Sequence, residues 1–168
     1  LTNMNNKSII WLLFAYSIVA IYVITYFKGT GDAGDSIHHF LYAKYAFQNP
    51  QLFFDHWAKP IFVLLSSPFA QFGFSGMKVF NSINVILTLL FTYRVVTKLE
   101  INNRIIAPLI LIFTPLYFSL TFSGLTEPLF ALLLIISIDK VLSKHHLTAL
   151  IIVSFLPFVR SEGLIIMG

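Results

Sequence analysis

The sequence predicts an all-α protein: a polytopic transmembrane helical bundle with a long first outer loop carrying interfacial helices. Three observations predict it. Charged residues make up only 11 % of the 168 residues against 57 % apolar, and the mean hydropathy is +0.83. A soluble domain carries about 25 % charged residues, so this chain has too few to coat a water-facing surface. The apolar residues also gather into runs approaching the roughly 20 needed to cross about 30 Å of hydrocarbon. Prolines at 108, 115 and 157 fall inside these runs, which membrane helices tolerate when neighbouring groups satisfy the freed backbone. The same composition excludes disorder, a typical cytosolic enzyme and a nucleic-acid partner. With no cysteine, disulfides and thiolate chemistry are excluded too.

Residues 9–27 form the first span, interrupted only by Ser17 and Thr25. The leader 3–7 is too polar, and the run after it too long, for a cleaved signal peptide. Residues 28–78 form the outer loop, with Gly29, Gly31 and Gly34 as a flexible start. Ile37, Phe40, Leu41 and Tyr45 then recur at helical spacing and give 36–47 an amphipathic face. The apolar stretch 61–74 has 14 residues and contains Pro68, which suits an interfacial helix better than a span. Further spans are expected at 79–97, 105–122, 125–142 and, shorter, 147–160. The chain opens on Leu1 and stops at Gly168 after the apolar run 164–167, so a piece of a longer membrane protein is expected.

The net charge of +4 is a topology signal in so apolar a chain. With the N-terminus in the cytoplasm, Lys7, Arg94, Lys98, Arg104, Lys140 and Lys144 lie inside, mostly in two short loops. Lys28, Lys44, Lys59, Lys78 and Arg160 lie outside, with five of the seven carboxylates. The expected location is therefore the cytoplasmic membrane, with the chemistry on its extracytoplasmic side. Ionisable groups beside lipid usually line a cavity.

Three constellations stand on that side. Asp32-Ala33-Gly34-Asp35 follows the first span, with His38 and His39 next. A carboxylate there suits a general base toward a hydroxyl, or an N-cap of the helix that follows. Asp35 and His39, four apart, with the distant His56, would be the ligands of a metal, though Asp-x-x-Asp is not a compact ligand set. His56-Trp57-Ala58-Lys59-Pro60 closes the polar stretch. Its Lys suits a phosphate as a point charge, and its Trp suits the aromatic belt. Thr126-Glu127-Pro128 starts the fourth span, and Arg160-Ser161-Glu162-Gly163 ends the fifth. That Arg reads either as half of a structural ion pair or as an anion-binding residue. Asn81, Asn84 and Thr88 share one face of the second span and suit interhelical hydrogen bonds.

Together these pieces resemble the GT-C superfamily of polyprenyl-phosphate-dependent glycosyltransferases, which includes protein O-mannosyltransferases and lipid A aminoarabinose transferases. Its bacterial branch has a pattern of Asp, acid, two residues, Tyr, three residues, Ala, Arg. Asp35, Ser36, His39, Ala43 and Lys44 stand at those places. Lys59-Pro60 with Phe62, Leu64 and Leu65 resembles the family's Lys-Pro-Pro-Leu stretch, with Ile61 for the second Pro. Gly73 and 77–84 resemble its entry into the next span. Leu125-Thr126-Glu127-Pro128-Leu129 is similar to its Thr/Ser-Glu-Pro-Leu element. Arg160-Ser161-Glu162-Gly163 is similar to the Arg-Pro-Glu-Gly of glycolipid-anchor mannosyltransferases.

The resemblance implies transfer of a sugar from a lipid-phosphate donor to a glycan, lipid or protein acceptor at the outer membrane face. Asp35, or Asp32 in its place, would deprotonate the acceptor. Lys59 and Arg160 would stabilise the departing phosphate, and His39, His56, Glu127 and Glu162 complete the substrate-binding set. No cofactor beyond the lipid-phosphate-linked sugar is implied, and a need for a divalent metal is left open. The alternatives are a transporter or flippase for a lipid-linked or anionic substrate, and a non-catalytic membrane subunit. A transporter would more often show midplane charges and an internal repeat.

Overall fold

The computed structural model describes residues 3–30, 32 and 34–167, with the backbone alone for 3–6. Gly31 of the loop's glycine-rich start, Ala33 of the Asp32–Asp35 motif, and the ends Leu1 and Gly168 lie outside the described residues. The protein is all-α: among the described residues there are nine α-helices and two 3₁₀ turns, with no strand.

Two helices are long and apolar enough to cross a membrane. They are α1 (Asn3–Tyr26), through its segment Lys7–Tyr26, and α4 (Phe74–Lys98). At 24 and 25 residues each is about 36 Å long, longer than the roughly 30 Å of a hydrocarbon core. The first starts six residues before the expected span and the second five, so 74–78 belong to a helix and not to the outer loop. The other expected spans are shorter or broken. The run 105–122 divides into α5 (Ile106–Phe113) and α6 (Pro115–Thr121). Pro115 cannot donate to the helix, and it drives Thr114 into an extended conformation, φ −70° and ψ 114°. The fourth run gives α7 (Glu127–Leu142), 16 residues and about 24 Å long. The fifth ends early: α8 (His146–Ser154) passes into a 3₁₀ turn at Leu156–Phe158, around Pro157. A last short helix, α9, is Gly163–Met167.

Between α1 and α4 lie α2 (Asp35–Tyr45), a 3₁₀ turn at Pro50–Phe54, and α3 (Pro60–Ala70). The 11 residues of α3 reach about 16 Å, about half of a hydrocarbon core. It packs against α2 and α4.

Contacts between helix ends fix which elements share an end of the bundle. Lys78, near the start of α4, donates from its ammonium to the Phe27 carbonyl just past α1, at 2.7 Å. The end of α1 and the start of α4 are therefore together. Asn81 donates to the carbonyls of Ser123 and Leu125, both at 3.0 Å, which brings the α6–α7 turn to the same end. Farther along, Lys98 and Arg94 reach Asp139 on α7, so α4 and α7 run side by side in the same direction. Helix α8 returns antiparallel to them, since Arg160 meets Glu127. One end thus collects α2, the start of α3, the start of α7 and the 160–162 turn. Beneath it Ala43, Phe62, Met77, Phe80, Leu129 and Val159 pack into one apolar cluster, a floor supplied by five different segments.

Lys78 was expected among the outer-loop cations. It is a helical residue, 2 % exposed, with its ammonium over the Phe27 and Phe74 rings. Buried ammonium groups need acceptors, and the carbonyl at the end of α1 supplies one. The interhelical role expected for Asn81 is seen in its two bonds. Thr88 bonds the Asn84 carbonyl of its own helix at 2.7 Å.

Candidate functional site

At the loop end of the bundle lies a cavity of about 400 Å³, lined by Asp35, His39, His56, Trp57, Lys59, Thr126, Arg160, Ser161 and Glu162. A second cavity, about 500 Å³, runs between α1 and α5–α6, lined by apolar residues such as Leu12, Val19, Phe113 and Phe118. Of these two the first gathers charged groups, which makes it the candidate site.

The two candidate carboxylates separate by their bonds. Asp32 accepts from the Ser36 N–H at 2.8 Å and the Gly34 N–H at 3.4 Å. It serves the amides at the start of α2, as a capping carboxylate does. Burial pushes its carboxyl up, but the Ser36, Thr30 and Gly34 hydrogen bonds outweigh that and hold it below its ordinary value. Asp32 does not line the cavity. Asp35 sits in the first turn of α2, exposed and facing the cavity. Among the described residues it takes part in no ion pair and no side-chain hydrogen bond. The cap expected at Asp35 is thus supplied by Asp32, and Asp35 is left available.

One turn on, His39 is 7 % exposed and stacks on Trp57 at 4.8 Å with an interplanar angle of 14°. Its Nδ1 is buried without a partner among the described residues. Burial holds its imidazole below the ordinary value, against the opposing pull of the Asp35 and Glu127 carboxylates.

The segment 55–59 is shaped locally. The Ala58 N–H donates to the Asp55 carboxylate at 2.9 Å, an Asx-type turn that presents His56 and Trp57. Pro60 occupies the first turn of α3. Lys59, just before it, has φ 68° and ψ 104°, a conformation that L residues rarely adopt. Its ammonium donates to the Ser161 hydroxyl at 2.8 Å, a contact across 102 residues of sequence.

Arg160 is the hinge of the charge network. It pairs with Glu127 in the first turn of α7 and with Glu162 two residues on, at 2.5 Å. The guanidinium also donates from Nε to Glu162 at 3.3 Å, which makes that contact bidentate. It holds the Glu162 carboxyl below the usual range. Glu127 reaches the cavity's charge network through Arg160 and does not itself line the cavity. Asp35, His39 and His56 face the same cavity, yet among the described residues no three His, Asp or Glu side chains are arranged to hold a metal ion.

Two tight packings hold these parts in register, and the sequence reading missed both. The Gly124 N–H donates to the Ser36 hydroxyl at 2.8 Å, and a Cβ on Gly124 would fall 2.6 Å from the Ser36 carbonyl oxygen. Only glycine lets the α6–α7 turn close onto the start of α2, beside Asp35. A Cβ on Gly163 would likewise meet the Leu156 carbonyl carbon at 2.4 Å, so α9 folds back tightly and sets the Arg160–Glu162 turn. Gly163 is the first residue of α9 and Gly124 lies three residues before α7, so in each case a glycine near a helix start was the available signal.

The chain matches no protein-family model, no curated protein and no solved structure. The site's chemistry therefore rests on its geometry. Around one cavity stand a carboxylate with no partner among the described residues and two cations, one bound there to a hydroxyl and the other to two carboxylates. Such a cavity can take a proton from a hydroxyl at one side and hold an anion at the other.

Proposed function

We propose that this chain carries the outer-face site of an integral membrane glycosyltransferase, built on a polytopic helical bundle in the cytoplasmic membrane. It transfers a sugar from a polyprenyl-phosphate donor to an acceptor hydroxyl. The observation that carries this reading is the gathering of Asp35, Lys59 and Arg160 around one cavity from positions up to 125 residues apart. Asp35 is the base toward the acceptor. Lys59 and Arg160 receive the charge that grows on the phosphate as the glycosidic bond breaks, where fixed cations act most strongly. The proton leaves the acceptor oxygen for Asp35, the sugar carbon bonds to that oxygen, and the lipid phosphate departs with the bonding electrons.

Support for the membrane setting comes from α1, whose Trp11, Phe14, Ile18 and Ile21 are each more than half exposed. Such a surface suits lipid far better than water.

The test uses the full-length protein in proteoliposomes with a polyprenyl-phosphate sugar. Asp35→Asn is expected to lower turnover by at least about 100-fold while leaving donor binding nearly unchanged, because it removes a base and keeps the shape. Asp32→Asn is expected to act mainly on stability. Full activity in both variants would end the catalytic reading of this loop. Cysteines introduced at Ser36 and Asn102 are expected to react with an impermeant reagent from opposite sides; reaction from the same side would end the outer-face assignment.

A further inference from the structure

Arg160 holds two carboxylates that differ in how firmly they are fixed. Glu127 stands in the first turn of α7, next to Pro128, and its Oε2 is buried. Glu162 lies in the short turn before α9, with its side chain 53 % exposed against 30 % for Glu127. Yet the exposed carboxylate makes the bidentate contact, the geometry with which a guanidinium also takes a phosphate. Ser161 between them is tied to Lys59, so the Glu162 carboxylate sits beside the second cation as well. An exposed ion pair is weak and exchanges easily for a better anion.

We infer that Glu162 is a displaceable latch, holding the face of Arg160 that the phosphate of the ligand takes and giving it up when that phosphate arrives. The inference rests on the reading of this cavity as a lipid-phosphate site and adds how the site is guarded. The exchange replaces one anion by another on Arg160, so the guanidinium never stands unpaired at the cavity wall. Glu127 stays in place throughout and fixes the guanidinium. Lys59, whose ammonium bonds a single hydroxyl, supplies the second contact to the incoming oxygen atoms. Small monoanions that bind Arg160 no better than a carboxylate are refused, and a phosphate that engages Lys59 at the same time is admitted.

The experiment reads farnesyl phosphate, and inorganic phosphate in parallel, by the fluorescence of Trp57. These 168 residues hold two Trp, so Trp11→Phe leaves Trp57, on the cavity wall, as the one Trp among them. Glu162→Gln is expected to bind the prenyl phosphate about three- to fivefold more tightly, the range of an exposed pair released. Arg160→Ala and Lys59→Ala are expected to bind it at least about tenfold more weakly. Adding Glu162→Gln to Arg160→Ala is expected to gain nothing, since the latch acts only through Arg160. Tighter binding of the prenyl phosphate than of inorganic phosphate identifies a lipid headgroup as the source of the anion. If Asp35→Asn tightens binding as much as Glu162→Gln, the effect is the general field of the cavity and the latch is overturned. Unchanged or weaker binding in Glu162→Gln, with Arg160→Ala still weakened, overturns the latch and leaves the anion site standing. No change in any of the three cation or latch variants overturns both.

Discussion

The bundle has a charge cluster at each end, and the two are built on opposite plans. At the far end Asp139 is fully buried and surrounded: Lys98 reaches one oxygen at 2.6 Å and Arg94 the other at 3.3 Å. Lys98 also bonds the Ser143 hydroxyl and the Asp139 carbonyl, and none of these groups lines either cavity described above. At the loop end Arg160 is the central ion, partly exposed between two carboxylates, beside a cavity of about 400 Å³. Asp35 and the His39 Nδ1 there have no partner among the described residues. One cluster spends its charges on joining α4 to α7. The other leaves Asp35 and the His39 Nδ1 unpaired, among the described residues, beside a cavity. The difference teaches that an ionic group in an apolar bundle reads as functional when the groups around it are incompletely satisfied, not when it is merely present.

The largest expected effect breaks this contrast at its closed end. Asp139→Ala removes the fully buried carboxylate shared by the partly exposed Arg94 and Lys98, and losing two hydrogen bonds to a charged group costs about 3 kcal/mol. Arg160→Ala removes a partly hydrated group and is expected to cost less than about 1 kcal/mol. Unfolding of both variants in detergent by circular dichroism measures the difference. Equal losses would erase the distinction between the two ends.

The sequence showed the charges but not this distinction. Positions such as Lys59, Glu127 and Arg160 were legible because short apolar runs, alternating in direction, return the chain to one face at each of them. The choice between Asp32 and Asp35 was not legible. Both sit at a helix start three residues apart, and only the Ser36 and Gly34 amides decide which one is consumed as a cap. The glycine contacts at 124 and 163 were hidden for a related reason: what they meet lies far off in sequence or across a turn. Apolar length alone also overstated the helices. Pro115 divides one run by driving Thr114 extended, whereas Pro68 stays inside α3, where the Ser67 hydroxyl donates to the Leu64 carbonyl that Pro68 cannot bond. That outcome depends on packing, which composition does not encode.

A smaller effect sharpens the open end. Burial lowers the affinity of the His39 imidazole for a proton in the folded protein, so the unfolded chain binds the extra proton first as pH falls. Stability contributed by neutral His39 is therefore complete above about pH 6.5, the ordinary histidine value, and declines as the pH drops below it. The slope for one proton is at most about 1.4 kcal/mol per pH unit. His39→Gln is expected to abolish this part of the acid-side decline, read from denaturant midpoints between pH 7 and pH 5. An identical decline in the variant would remove His39 from the account and leave the carboxylates as its source.

The smallest effect is also the most discriminating, because it sets the same backbone feature at both ends side by side. Among the described residues three non-glycine residues have positive φ: Lys59 at 68°, Glu100 at 56° and Lys144 at 62°. Glu100 and Lys144 sit just past the ends of α4 and α7. There the Ile101 N–H reaches the Val96 carbonyl and the His145 N–H reaches the Lys140 carbonyl, a Schellman ending that ordinarily carries glycine. Lys59 stands at the start of a helix, where no such ending calls for a left-handed residue. Its strain places the ammonium against Ser161 and the cavity. Glycine at any of the three relieves the strained conformation and is expected to stabilise by up to about 1 kcal/mol. Glu100→Gly and Lys144→Gly are expected to do so with prenyl-phosphate binding unchanged. Lys59→Gly is expected to gain similar stability and to lose at least about tenfold in binding, because there the strain and the charge belong to one residue. Melting temperature and Trp57 titration on the same three variants check it, and a Lys59→Gly variant that bound normally would make that strained residue a turn like the other two.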